Sequence, residues 1–132
     1  MRKRVPLGAL TALAITMAAA PALAHHSFAM FDNTRAVLIT GSVEKFQWTN
    51  PHSYLEMNVG GKHYTLEMTS PNMMSRAGWT SRSVRVGAQV TTLIAPLRDG
   101  RPGGMVLEVR FPDGHVLVNP VPNPQNYVRT PQ

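Results

Sequence analysis

Histidines at two places in the chain have the residue types and spacing that metal binding requires. His25 and His26 are adjacent, and His52 follows an Asn-Pro pair further along. If His25 becomes the first residue of a processed protein, its α-amine and ring nitrogen can bind one metal ion, with His26 or His52 supplying a third nitrogen. Such a histidine brace suits copper(II). Glu67 or Glu56 can add an oxygen ligand, and Glu67 can alternatively be a partner that holds a histidine in place.

Several other site chemistries are excluded by residue type. The 132-residue chain contains no cysteine, which rules out disulfides, thiolate zinc sites and cysteine nucleophiles. The sequence has no G-x-S-x-G nucleophile elbow, P-loop or dinucleotide-binding fingerprint. Glu56 and Glu67 are expected on one face of the sheet, and two carboxylates can act as acid and base in glycoside hydrolysis. No residue pattern indicates a substrate, however. We therefore expect a binding or accessory module and not an enzyme; a copper redox enzyme built on the histidine brace is the enzymatic alternative.

The chain begins with features of a secretory signal peptide. Basic residues precede a long uncharged stretch rich in alanine and leucine, and residues 1–24 end in a small-x-small motif. The apolar part is interrupted by glycine and proline and is too weak for a membrane span. We expect cleavage between Ala24 and His25, which leaves a periplasmic or secreted protein with no membrane span. Cleavage after Ala22 is the alternative, and it would make His25 the third residue of a square-planar copper site.

The same residues also have plain structural interpretations. Adjacent histidines at a chain terminus are usually exposed to solvent, and the segment 50–52 also fits a simple turn. Glu67 can accept hydrogen bonds from the start of the helix that follows it. His63 and His115 fit ordinary surface positions, and the methionines fit core positions instead of a thioether site for copper(I). Both interpretations of His52 and Glu67 stay open at this level.

A β-hairpin follows His52 and provides a polar face for the site. Two runs of alternating residues, Ser53–Val59 and Lys62–Met68, flank a Gly-Gly pair, which specifies a two-residue turn. The resulting register puts Leu55 opposite Leu66 on the buried face. The opposite, polar face carries His52, Tyr54, Glu56, Asn58, His63, Thr65 and Glu67.

A short helix follows the hairpin. Ser70 is a suitable N-cap, and Gly78 is a suitable left-handed stop. Only about two turns fit between these residues. We expect Met73, Met74 and Ala77 to cover one end of a barrel.

The remaining elements complete a small all-β domain. A first strand, Val37–Trp48, precedes the hairpin, and its change of parity near Gly41 predicts a bulge. Further strands are expected over Gln89–Leu97, Met105–Phe111 and His115–Val118. This order is that of an OB-like Greek-key barrel of five to six strands, with one short helix between strands 3 and 4. The predicted domains are a lead-in at residues 25–36, the barrel at 37–118 and a flexible proline-rich tail at 119–132.

Positive charge is concentrated in the second half of this domain. Removal of the signal peptide lowers the net charge from +6 to +3, and most of the arginines lie between residues 70 and 110. The alternative function is therefore a non-metal module that binds an envelope protein or another anionic partner through this half. Nucleic acid is not an expected partner, because the protein is exported, weakly charged and poor in exposed strand aromatics. The arginines are Arg76, Arg82, Arg85, Arg98, Arg101 and Arg110.

A series of short motifs resembles one known family along nearly all of the mature chain. The family is DUF6152, a group of small exported bacterial proteins of unknown function. The resemblance implies an exported single domain and carries no established activity. The motifs are His25-His26-Ser27-Phe28, Gly41-x-Val43, Trp48-Thr49-Asn50-Pro51-His52, Leu66-Glu67, Ser70-Pro71, Gly78-Trp79, Gly87-x-x-Val90 and Asp99-Gly100.

Overall fold

The structure, a computed structural model, describes residues 28–122. The predicted signal peptide, His25, His26 and the end of the predicted tail, 123–132, lie outside the described residues. In the part that is described, no helix has the length and apolar character needed to cross a membrane. The elements in chain order are a 3-10 turn (Phe28–Met30), β1 (Val37–Gln47), β2 (Tyr54–Val59), β3 (Lys62–Glu67), α1 (Pro71–Arg76), β4 (Gln89–Pro96), β5 (Gly103–Arg110) and β6 (Val116–Val118).

Five of the strands close into a barrel. β1 pairs in antiparallel fashion with β2 and with β4, β2 pairs with β3, and β4 pairs with β5. A parallel pairing between β3 and β5, from Thr65 opposite Gly103 to Glu67 opposite Met105, completes the circuit. β6 extends the sheet beyond β5. The prediction of an all-β, OB-like Greek-key barrel with one short helix between strands 3 and 4 is therefore confirmed.

The first strand contains the bulge that its change of parity predicted. Its pairing register with β2 shifts between Val43 and Lys45, just beyond Gly41. Gly41 is needed for another reason: a Cβ atom there would lie 2.1 Å from the carbonyl oxygen of Asn58. The glycine therefore permits close approach of β2, and the bend follows it.

The β2–β3 hairpin has the predicted register. Leu55 pairs with Leu66, and Met57 pairs with Tyr64. The two leucines and Met57 are fully buried in the main core cluster. Tyr64 is partly buried and packs against that cluster. The turn glycines have φ angles of 58° and 84°, which a two-residue hairpin of type I′ requires. The other face of the hairpin is thus fixed as the polar one.

Helix α1 closes one end of the barrel with a single inward side chain. Ser70 caps the helix as predicted, and its Oγ accepts a hydrogen bond from the Met73 amide at 3.4 Å. Met74 is fully buried, whereas Met73 and Ala77 are exposed, which corrects the expectation that all three would cover the barrel. Successive helical residues point about 100° apart, which turns Met73 away from the face that Met74 buries, and Ala77 lies beyond the last helical residue, Arg76. Trp79, which is 1% exposed, supplies the remaining cover.

The packed part of the chain extends past the predicted start of the tail. Asn119 is buried, and its Oδ1 accepts hydrogen bonds from the Thr69 amide at 3.1 Å and from the Thr69 hydroxyl at 2.7 Å. Its Nδ2 donates to the carbonyl of Val106 at 2.7 Å. Val121 is also buried, in the second core cluster. The segment after β6 therefore links β5 to the end of β3.

Candidate functional site

His52 and Glu67 meet at one end of the hairpin. His52 lies in the loop after β1, and its carbonyl accepts a hydrogen bond from the Thr49 hydroxyl at 2.9 Å. Glu67 is the last residue of β3 and pairs across the strands with Tyr54. The Nδ1 atom of His52 contacts Oε1 of Glu67. The predicted proximity of these two side chains on the polar face is therefore present in the structure.

This pair is sheltered from solvent. The side chain of His52 is 29% exposed and that of Glu67 is 13% exposed. Burial raises the pKa of Glu67 above its ordinary value, and the attraction and hydrogen bond of His52 oppose that rise. The pKa of Tyr54 is also raised, by burial and by the negative charge of Glu67. The site therefore combines a shielded carboxyl group with an imidazole ring that it orients.

Only one nitrogen of the His52 ring is engaged within residues 28–122. Nδ1 contacts the carboxyl group, whereas Nε2 makes no hydrogen bond to a described residue. A ring held through one nitrogen in this way presents the other as an electron-pair donor when it is neutral. His52 can therefore accept a proton or bind a metal ion through Nε2.

A cavity of about 360 Å³ lies beside Glu67. It is situated where the parallel pairing of β3 and β5 closes the barrel. Polar groups from the hairpin and from the β4–β5 loop share its wall with apolar side chains from the segment before β1. Its lining residues are Met30, Phe31, Tyr54, Thr65, Glu67, Leu97, Arg101, Pro102 and Gly104.

The segment before β1 is attached firmly at this cavity. Phe31 is 3% exposed and forms an isolated antiparallel bridge with Leu97. The Arg98 amide donates to the carbonyl of Met30 at 2.9 Å, and the Arg98 side chain donates to the carbonyl of Ala29 at 3.0 Å. The described chain therefore begins within a few residues of the cavity wall.

The described residues supply part of the predicted metal site and not all of it. Residues 28–122 contain no group of three or more histidine or carboxylate side chains placed to hold a metal ion. Glu56, the other candidate oxygen ligand, accepts a hydrogen bond from Gln47 at 2.6 Å and lies 3.8 Å from Lys45. The candidates His25 and His26, which would complete the site, lie outside the described residues.

A second histidine–glutamate pair lies at the opposite end of the same hairpin. The Nδ1 atom of His63 lies 2.5 Å from Oε2 of Glu44, and Asn58 donates to the other carboxylate oxygen at 3.4 Å. The side chain of His63 is 54% exposed, and that of Glu44 is 38% exposed. The sequence indicated a surface position for His63 but not its partner, because the change of parity in β1 predicts a bulge but does not show that Glu44 reaches β3.

Sequence reasoning also missed the cavity and the residues that reach it from distant segments. Arg101 and Met30 lie far from Glu67 in the chain and meet at the closure of β3 on β5. The strand order of an OB-like barrel is the signal that could have brought these segments together. Tyr54 was placed on the polar face correctly, but its position on the cavity wall was not predicted.

Comparison with known proteins supports the resemblance noted in the motifs. A family model described as a family of unknown function, DUF6152, matches residues 13–108, more than half of the chain. The matched range includes both His52 and Glu67. No curated protein and no solved structure matches the chain. The chain belongs to the DUF6152 family, whose function is unknown.

Proposed function

We propose that the processed protein is an exported binding module that holds one copper(II) ion through His25 and His52. The observation that carries this proposal is the contact between Glu67 Oε1 and His52 Nδ1. Metal-binding histidines commonly donate their second ring N–H to a carboxylate, which fixes the tautomer and makes the ring a better ligand. In this arrangement Nε2 of His52 binds the metal, and Glu67 is a positioning residue.

The length of the preceding segment supports the participation of His25. Met30 lines the cavity next to Glu67, and His25 stands five residues before it. Five residues in an extended conformation span up to about 17 Å. This length allows the α-amine and imidazole of His25 to reach the rim of the cavity at Met30.

The carboxylate of Glu67 also favours a cation. Glu67 is largely shielded from water, and its only described polar contact is His52. A buried carboxylate attracts a nearby positive ion more strongly than an exposed one, because solvent screens it less. Copper(II) matches a donor set of one amine and two imidazole nitrogens, all of which must be deprotonated to bind it.

Titration calorimetry with copper(II) on the exported, processed protein tests this function. We expect one ion per chain, with an affinity at least about tenfold lower in the His52→Ala variant. His63→Ala is the matched control, because it removes the same side chain from the other histidine–glutamate pair and should leave the affinity unchanged. Equal affinities in the two variants, or no copper binding by the wild-type protein, would contradict the proposal.

A further inference from the structure

Three arginines after the hairpin have no partner among the described residues. Arg76, Arg82 and Arg85 are all exposed. Their guanidinium groups form no ion pair or hydrogen bond with any of residues 28–122. No acidic residue occurs between Glu67 and Asp99, so this stretch carries positive charge without a local counter-charge. The three side chains are therefore free to bind an external anion.

The other arginines of the basic half are engaged within the domain. Their guanidinium groups bind carboxylates or a backbone carbonyl of the described residues. The contacts are Arg98 Nε to the Ala29 carbonyl at 3.0 Å, Arg101 Nε to Asp99 Oδ2 at 2.7 Å, and Arg110 Nε to Glu108 Oε1 at 2.7 Å. Among the described arginines of the basic half, those without a partner thus lie only in residues 76–85, from the end of α1 to the turn before β4.

Buried anchors hold this stretch against the end of the barrel. Met74, Trp79 and Val84 are at most 5% exposed, and all belong to the main core cluster. The three arginines alternate with these anchors in the sequence, so they lie on the outer side of the chain. We refer to residues 73–86 as the α1–β4 segment. Its buried anchors hold the backbone against the core, and its three arginine side chains are exposed.

Two exposed apolar side chains accompany the arginines. Met73 at the start of the α1–β4 segment is 42% exposed, and Val86 at its end is 72% exposed. Cations interspersed with single apolar side chains are typical of surfaces that bind anionic membranes, where the charges meet phosphates and the apolar groups enter the interface. A protein partner or a nucleic acid is less well matched, because the aromatic of this segment, Trp79, is buried.

We propose that the α1–β4 segment docks the protein on the surface of an anionic phospholipid bilayer. The guanidinium groups of Arg76, Arg82 and Arg85 bind the headgroup phosphates, and the Val86 side chain enters the interfacial region. This docking is independent of the copper site, since it uses none of the residues proposed to hold the metal. Binding depends on lipid charge and weakens as the ionic strength rises.

Vesicle co-sedimentation with the exported, processed protein tests the proposal. We expect pelleting with vesicles of phosphatidylglycerol and phosphatidylcholine, and none with phosphatidylcholine alone. The Arg76→Gln/Arg82→Gln/Arg85→Gln variant should lose about a hundredfold in partition coefficient, because each surface cation contributes several-fold. Val86→Ser keeps all charges and should lose a few-fold.

The matched control removes the same charge from the other half of the domain. Arg35, Lys45 and Lys62 are exposed cations outside the α1–β4 segment, and their joint replacement by glutamine should change vesicle binding less than about threefold. Thermal melting of each variant verifies that it is folded. Equal losses in the two triple variants would overturn the proposal in favour of a net-charge effect, and failure of the wild-type protein to pellet with anionic vesicles would overturn it in favour of another partner.

Discussion

Two histidine–glutamate pairs lie at opposite ends of the β2–β3 hairpin, in different environments. At one end His52 contacts Glu67, and at the other end His63 contacts Glu44, in each case through the ring Nδ1 atom. The glutamate of the first pair is 13% exposed and that of the second is 38% exposed. A cavity adjoins the first pair, and the segment that leads back to His25 lines its wall. The two pairs have the same residue types. The lower solvent exposure of the first pair and the cavity beside it therefore distinguish the candidate site from a surface contact.

Solvent exposure has a direct energetic consequence for the two pairs. Exposed pairs contribute about 0 to 1 kcal/mol to stability, because water screens the charges and the side chains lose conformational freedom. For the sheltered pair, burial disfavours the charged carboxylate of Glu67 and raises its pKa. The same burial lets Glu67 hold the His52 ring in one orientation. The first pair is thus suited to binding, and the second to surface solvation.

The largest expected effect comes from a substitution that prevents folding of the hairpin, which positions both pairs. Leu66 lies between His63 and Glu67 along β3, is fully buried and pairs with Leu55. Leu66→Asp forces an unpaired charge into the core, at a cost of several kcal/mol against a total stability of about 5 to 15 kcal/mol. We expect this variant not to fold, as measured by circular dichroism. Thr65→Asp, on the exposed face one residue earlier, should melt close to the wild-type protein; similar melting of the two variants would contradict the register.

A smaller effect on metal affinity separates the two glutamates. Glu67→Gln should weaken copper(II) binding by about 10- to 100-fold, because the His52 ring loses the partner that fixes its tautomer. Glu44→Gln removes the same group from the exposed pair and should change the affinity less than twofold. Competition with a chromogenic copper chelator measures both. A Glu67→Gln variant that binds copper as tightly as the wild-type protein would show that the carboxylate has no positioning role.

The smallest effect is on the pH dependence of stability without metal. Because the folded-state pKa of Glu67 is raised above 4.5, the folded state binds more protons than the unfolded state just above that pH. The contribution of Glu67 to the free energy of unfolding is therefore most favourable below pH 4.5 and declines as the pH rises through the raised pKa. Urea denaturation across this range should show the decline in the wild-type protein and in Glu44→Gln. If Glu67→Gln shows the same decline, the burial of Glu67 is not its cause.

Local patterns were sufficient to predict the hairpin and the cap of the helix. The Gly-Gly turn fixed the register of Leu55 with Leu66, and this register alone places Tyr54 opposite Glu67. Ser70 could be identified because N-capping depends on residues only three positions apart. These features require no knowledge of the rest of the fold, and so the proximity of His52 to Glu67 could be inferred from the sequence.

Features that depend on distant segments were not predicted. The cavity forms only when β3 pairs with β5, which brings Glu67 close to Arg101. The pairing of His63 with Glu44 joins β3 to β1, and the burial of Asn119 accompanies its hydrogen bonds to Thr69. Each of these contacts joins segments that are far apart in the chain, and local periodicity contains no information about such contacts.

The central claim is that His52 and the amine of His25 bind the same copper(II) ion. Electron paramagnetic resonance of the copper-loaded, processed protein tests it directly, because the hyperfine pattern reports the nitrogen ligands. We predict that the wild-type pattern changes both in His52→Ala and in a form with one extra residue before His25, and that His63→Ala retains it. An identical nitrogen pattern in all four proteins would contradict the claim.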